Sequence, residues 1–199
     1  MKKLVTPLVF LALATGANAA VIKNSATGIG GADQTITFSE HSLAVQSAVT
    51  DQFADLGVTF VPYLYYSSQT GYANITGATV TNFHPGVFSF GLKFGQDVSA
   101  ASFAMVSNSS SWNFKALLDG VAVDSFSATV NTASNNFFGF NDLVFDEIQI
   151  VSPVSDFMII DNLSFIAAEV ADVPEPASLA LVGLGLLGMS GLRRKNRGM

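Results

Sequence analysis

The chain has 199 residues, no cysteine, seventeen phenylalanines and a formal net charge of −6. With no thiol it has no disulfide framework, no cysteine nucleophile and no Cys-type zinc site. All fifteen acidic residues lie between positions 20 and 175, where Lys23, Lys93 and Lys115 are the only basic ones, so this body carries −12; such a surface repels phosphate backbones and anionic headgroups and argues against nucleic acid as a partner.

At the N-terminus, Lys2 and Lys3 precede an apolar stretch over 4–14 and the small-x-small triplet Ala17-Asn18-Ala19. This pattern predicts a secretory signal peptide over 1–19 and a mature chain starting at Ala20. Residues 20–32 read as a flexible mature N-terminus. Within them Thr27-Gly28-Ile29-Gly30-Gly31 lacks the lysine and the following helix of a phosphate-binding loop. Residues 33–168 are expected to form one domain, long enough to bury a substantial core.

That domain reads as all-β. Phe, Val, Ile and Thr alternate with turn-forming Gly, Asn, Asp and Ser, which suits short strands joined by turns. Strands are predicted over 34–39, 57–61, 72–81, 87–94, 99–106, 112–118, 121–128, 146–151 and 157–166. Between the first two, 41–56 has partial helical spacing at Leu43, Val45, Val49, Phe53 and Leu56, and a loop is expected there with one helical turn over 51–54 capped by Thr50. His84-Pro85-Gly86 reads as a turn. Asp119-Gly120 separates two strand-like runs and predicts a two-residue hairpin, because both central residues of a type I′ turn need positive φ. About nine closely spaced strands without intervening helices argue for two antiparallel sheets packed face to face.

Two segments carry a resemblance to known domains. Ile36-Thr37-Phe38-Ser39-Glu40 followed by Val49 to Phe60 resembles the opening of many secreted jelly-roll domains. Phe157-Met158-Ile159-Ile160-Asp161-Asn162-Leu163-Ser164-Phe165 is similar to the last strand of galactose-binding-like and carbohydrate-binding-module jelly rolls. The resemblance implies a two-sheet antiparallel jelly-roll sandwich with its first and last strands adjacent. It also implies a structural calcium held by Glu40 and Asp161, with Asn162 standing where a second Asp is frequent. Calcium takes six to eight oxygens, which this set and backbone carbonyls would supply. In the alternative, Asp161 caps a bulge or turn and Glu40 is a solvated strand end.

For sugar contact the candidates are Tyr63, Tyr65, Tyr66, Tyr72 and the single Trp112, whose flat faces suit pyranose rings. Alternation places Tyr63 and Tyr65 on one face and Leu64 and Tyr66 on the other, so some of these rings are expected to fill the core instead. The Asn/Ser/Thr-rich stretches 107–111 and 131–136 read as loops. His41 and His84 are joined to no nucleophile by any signature, and no catalytic residue is assigned. The protein is expected not to be an enzyme.

The C-terminus has three zones in order. Residues 169–176 form a linker ending in Val173-Pro174-Glu175-Pro176. The apolar run 177–192 follows, then a basic tail over 193–199 with Arg193, Arg194, Lys195 and Arg197. The prolines fix φ and let a helix begin only after them. The run spans about 24 Å as a helix, a short transmembrane helix whose basic end stays cytoplasmic. Gly183-Leu184-Gly185-Leu186-Leu187-Gly188 matches a dinucleotide pattern but follows no strand, and close helix packing is the better use of its glycines.

This ending resembles the PEP-CTERM sorting signal of Gram-negative bacteria. The resemblance implies an exosortase-type membrane protease as partner and transient inner-membrane anchoring, followed by release to the cell surface or matrix. An ordinary C-terminal anchor is the alternative. Together the readings give an exported, non-catalytic surface or matrix protein of exopolysaccharide-producing bacteria. The alternative function is a carbohydrate-binding module for an extracellular polysaccharide.

Overall fold

The computed structural model describes residues 19–82, 88–152 and 156–169, and the first compact unit of the chain ends at Ala168. Its strands are β1 (Ala20–Ser25), β2 (Gln34–Ile36), β3 (Ala48–Val49), β4 (Val58–Val61), β5 (Leu64–Tyr72), β6 (Ile75–Thr81), β7 (Ser89–Ser107), β8 (Ser110–Leu118), β9 (Val121–Val130), β10 (Phe137–Asn141), β11 (Phe145–Val151) and β12 (Met158–Ala167). A 3-10 turn over Ala54–Leu56 precedes β4. Among the described residues no helix is long and apolar enough to cross a membrane. Residues 1–18 of the expected signal peptide and the apolar run 177–192 lie outside the described residues, as does His84-Pro85-Gly86.

The strands build a β-sandwich whose two layers share β7. The first part of β7 pairs with β4, through Val58↔Phe94 to Val61↔Gly91, and with β11, through Glu147↔Lys93 to Val151↔Ser89. Its second part lies between β10, through Phe137↔Ala104 to Phe140↔Ala101, and β12, through Met158↔Ser107 to Ala167↔Val98. One layer therefore runs β4-β7-β11-β8-β9 and the other β3-β5-β6-β12-β7-β10-β1. The corner is visible in the register. Residues 145 and 147 of β11 face Val98 and Lys93 of β7, so β7 carries extra residues there. They include Gly95, Gln96 and Asp97, all exposed. A bulge of this kind bends a strand and raises its twist, which lets one strand turn from one layer into the other.

The inner faces meet on phenylalanine. In β8, Trp112, Phe114 and Ala116 are buried while Ser111 and Lys115 are exposed, the period of two expected of a half-buried strand. Phe114 stacks on Phe138 of the other layer with ring centroids 5.2 Å apart and planes 5° from parallel, and lies 6.2 Å from Phe103. Phe140 reaches across to Phe145 at 5.8 Å, and Phe94 to Phe165 at 5.2 Å. The Asp119-Gly120 hairpin forms as read, with φ of 52° and 76° and Leu118 paired to Val121.

Four sequence readings need correction. Residues 20–25, read as flexible, form β1 along β10, and Ile29 N–H donates to the buried Ser102 Oγ at 2.9 Å. A pairing partner more than a hundred residues away is what orders them. The segment read as one strand over 72–81 is the second half of a hairpin: β5 begins at Leu64 and turns at Ala73-Asn74 into β6, with Tyr72 opposite Ile75. The separate strands read over 87–94 and 99–106 are one strand, because Gly95 and Asp97 mark a corner rather than a chain reversal. The turn over 51–54 forms, closed by Ala54 N donating to the Asp51 carbonyl at 3.0 Å, but it continues as a 3-10 turn over Ala54–Leu56 and has no side-chain cap, so the Thr50 cap is the part that fails.

The close approach of β10 to β7 requires a glycine at position 139. A Cβ there would overlap the Ala101 carbonyl oxygen and lie 2.8 Å from Ser102 Cα, both backbone atoms that cannot rotate away. Gly139→Ala is expected to cost about 3 kcal/mol in urea unfolding. Gly30→Ala, where an added Cβ meets nothing within 4 Å, serves as the control and should leave the midpoint unchanged.

Candidate functional site

Three places in the described fold concentrate polar chemistry. The first is the bulge of β12 at Asp161-Asn162. β6 pairs with β12 up to Ile160 and β2 pairs with it from Leu163, so two strands lie in line along one flank of β12 and leave a gap between them. Asn162 turns the chain there with φ of 51°, a conformation Asn tolerates better than most residues. Asp161 is 1% exposed. Its Oδ2 accepts from Thr76 N at 2.8 Å and its Oδ1 from Asn162 N at 2.7 Å. Asn162 Nδ2 donates to the Asn74 carbonyl at 2.9 Å, leaving Oδ1 as its available acceptor.

Burial pushes the Asp161 carboxyl up to about 6, with the Glu40 carboxylate adding to the rise and the two amides opposing it. Glu40 is thus near enough to be felt, while its Oε1 is held by Thr37 N and Thr37 Oγ1, each at 2.8 Å. β2, which holds the first strand read from the sequence, and the last strand, β12, are neighbours as the resemblance implied, through Ile36↔Leu163, although β1 precedes β2 in the chain. Among the described residues no group of three or more His, Asp and Glu side chains could hold a metal. A cation here would have to draw most of its oxygens from Asp161, Glu40, Asn162 Oδ1 and backbone carbonyls. The donor set is of the hard-oxygen type that suits calcium.

The second place is the tyrosine run. Leu64 and Tyr66 face the core, and Tyr66 is 8% exposed with its hydroxyl directed to the His41 carbonyl at 3.4 Å. Tyr63 and Tyr65 face outward as a T-shaped pair with centroids 5.3 Å apart, and Tyr63 is 36% exposed. Tyr72, at the far end of β5, packs half-buried against Ile75, Ala104, Val106 and Ile159. Trp112 is wholly buried, and its Nε1 donates to Ser107 Oγ at 3.3 Å. Trp112 and Tyr66 are therefore corrected from sugar platforms to core residues: their rings are the large apolar faces that the two layers close over. Only Tyr63 and Tyr65 of the five are brought together.

Sequence reading missed the hub formed by Asp156. Its carboxylate accepts from Ser107 Oγ at 2.6 Å, from Ser110 Oγ, from Asn108 Nδ2 at 3.0 Å and from Phe157 N at 2.8 Å. Partial burial would raise this carboxyl, but the hydrogen bonds outweigh it and hold it below the usual aspartate value. Asn82 Nδ2 donates to the Asp156 carbonyl at 2.7 Å, which ties the end of β6 to the same point. The Asn/Ser segment 107–111 was read as a loop, but Ser107 ends β7 and Ser110 and Ser111 begin β8, so only residues 108–109 connect the strands. The partner of this segment lies nearly fifty residues on, and no local signal joins them. This hub fastens the β7–β8 turn to the start of β12 and has a structural use.

The third place is a solvent-open cleft of about 420 Å³ at the β7 corner, lined by Asp33, Gln34, Ala54, Asp55, Leu56, Gly57, Gly95, Gln96 and Phe165. His41 Nε2 meets Asp55 Oδ1 at 3.0 Å on its rim. No Ser or Thr hydroxyl is bonded to His41 among the described residues.

The sign of the Asp161 effect follows from its raised value. The folded protein takes up this proton before the unfolded chain does. Its charged form thus costs stability above about pH 6, and stability rises as pH falls from 6 toward 4. In metal-free buffer the unfolding free energy should increase by on the order of 2 kcal/mol between pH 7 and pH 4.5. Asp161→Asn should lose that increment in the same urea titrations.

Comparison with known proteins adds one firm result. Residues 172–195 match the family model described as the PEP-CTERM protein-sorting motif. No curated protein matches the chain. Among solved structures, a mutant of the family 29 carbohydrate-binding module CBM29-2 is 17% identical with a TM-score of 0.34, covering 80% of this chain and 99% of its own. CBM32-3, from a family 31 glycoside hydrolase of Clostridium perfringens, is 12% identical with a TM-score of 0.30, covering 67% and 95%. The Val173, Pro174, Glu175 and Pro176 motif and the Arg193-Arg194 pair all fall within the matched segment, which lies outside the described residues. The chain carries a PEP-CTERM protein-sorting motif over residues 172–195.

Proposed function

We infer that this is an exported, non-catalytic protein of the cell surface or extracellular matrix, sorted and processed through its C-terminal signal. The sorting motif over 172–195 is the observation that carries the reading. On this reading residues 1–19 are a signal peptide, and 177–192 anchor the chain transiently in the inner membrane of a Gram-negative cell. An exosortase-type membrane protease then acts near Pro174-Glu175-Pro176. The ordered start of β1 at Ala20 supports a mature chain beginning there, since the first residue after the predicted cleavage already lies in the sheet. In the producing bacterium the surface-associated protein should begin at Ala20 and end within 173–176 by intact mass. Replacing Pro174 and Pro176 by Ala should leave a longer, tail-bearing form in the inner membrane. A tail-bearing chain as the stable surface form would overturn the proposal.

A second reading has one observation in its favour. Tyr63 and Tyr65 present an outward aromatic pair, which suits a carbohydrate-binding module engaging an extracellular polysaccharide on a jelly-roll scaffold. A structural calcium at Glu40, Asp161 and Asn162 fits either reading. It is supported by a buried carboxylate that has a second carboxylate nearby and no basic partner among the described residues. Calcium would neutralise the pair and stabilise the native state by mass action. Millimolar calcium should raise the melting temperature at pH 7 and flatten its pH dependence. An identical melt in calcium and in EDTA would remove the metal from the account.

A further inference from the structure

The cleft at the β7 corner has the makings of a small binding site distinct from Tyr63 and Tyr65. Its floor is backbone: Gly95 N donates to the Gly57 carbonyl at 2.9 Å, and neither residue has a side chain to fill the space above. Gly57 has φ of 86°, and a Cβ there would stand 3.3 Å from Phe165 Cζ, so glycine also keeps that ring clear. Phe165 forms an apolar wall. It is held at 5.2 Å by Phe94 and is itself only 5% exposed, so the cleft meets a fixed ring edge.

The polar lining is oriented from behind. Asp33 Oδ2 accepts from Ala167 N at 2.9 Å, and Asp33 N donates to the Phe165 carbonyl at 3.0 Å. Asp55 Oδ1 is engaged by His41. Each carboxylate thus has one oxygen committed and one left over, and Gln34 and Gln96 add carboxamides. No Lys or Arg lines the cleft. Its volume of about 420 Å³ falls within the range of small-molecule sites, roughly 300–1,000 Å³.

Two acids, two carboxamides, one apolar wall and an open backbone floor, on a body of net charge −12, disfavour an anionic ligand and favour one with hydroxyls and a positive charge. We propose that this cleft binds an amino sugar bearing a free ammonium group. Asp33 and Asp55 receive the ammonium and neighbouring hydroxyls, Gln34 and Gln96 receive further hydroxyls, and Phe165 meets the apolar edge of the ring. The ligand class is therefore a de-N-acetylated hexosamine or a polymer of it. This assignment does not depend on the tyrosine pair and can hold or fail separately from it.

The test uses the full-length chain in neutral detergent micelles, titrated calorimetrically with glucosamine oligomers and with the same oligomers N-acetylated. Saturable binding of the free-amine oligomers is expected, with acetylation weakening it by roughly tenfold through loss of the charge. Asp33→Asn and Asp55→Asn should each weaken it by about threefold. Gln96→Arg, an exposed change that sets a guanidinium in the cleft, should abolish it while leaving the thermal melt intact. Tyr63→Ala should change nothing here. Equal affinity for acetylated oligomers, retained binding in Gln96→Arg, or no binding at all overturns the proposal. Binding lost in Tyr63→Ala but kept in Gln96→Arg also overturns it and would instead support the tyrosine reading.

Discussion

The structure depends on one strand serving two sheets. Because β7 runs from Ser89 to Ser107 and pairs with β4 and β11 over its first part and with β10 and β12 over its second, the two layers are tied by continuous backbone as well as by side-chain packing. The extra residues at Gly95, Gln96 and Asp97 let a hydrogen-bonded strand leave one layer and enter the other. Their exposure follows from the geometry, since the outside of a corner faces water. A flexible connection at the same place would leave the layers free to slide. A paired strand holds their relative register.

That register decides which phenylalanines meet. Phe114 from the inner face of one layer and Phe138 from the other stack nearly parallel, and the chain of rings continues through Phe126, Phe140, Phe145, Phe94 and Phe165. Aromatic pairs of this kind add something beyond their buried area, about 0.5–1.5 kcal/mol each. The chain has no cysteine, so this core is held without disulfide cross-links. The corner also makes the cleft. It opens where β7 bends away, is floored by Gly57 and Gly95, and is closed at the back by the last ring of the same aromatic chain.

Two aspartates show how the same side chain takes opposite roles under different local geometry. Asp156 collects three side-chain donors and one backbone amide, which hold its carboxyl below the usual aspartate value. Asp161 is buried with only two amides, beside Glu40, and its charge is costly. The first is a fastening whose hydrogen bonds repay its partial burial. The second is a buried carboxylate kept in place by the interruption between β6 and β2, the kind of cost that folds concentrate where a ligand or ion compensates it.

By itself the sequence determined the all-β class, the Asp119-Gly120 hairpin and the sorting motif. Each rests on residues close together in the chain: two φ > 0 positions side by side, a period of two, three compositional zones in order. Only the tertiary structure decided that 20–25 is a strand, that 89–107 is one strand rather than two, and that Trp112 and Tyr66 are core while Tyr63 and Tyr65 face out. It alone brought Asp33, Asp55, Gly95 and Phe165 to one cleft and Ser107 to Asp156. The physical reason is range. A turn or an alternation is specified by neighbours a few residues apart, whereas burial, pairing and pockets depend on partners that only the assembled sheets bring together.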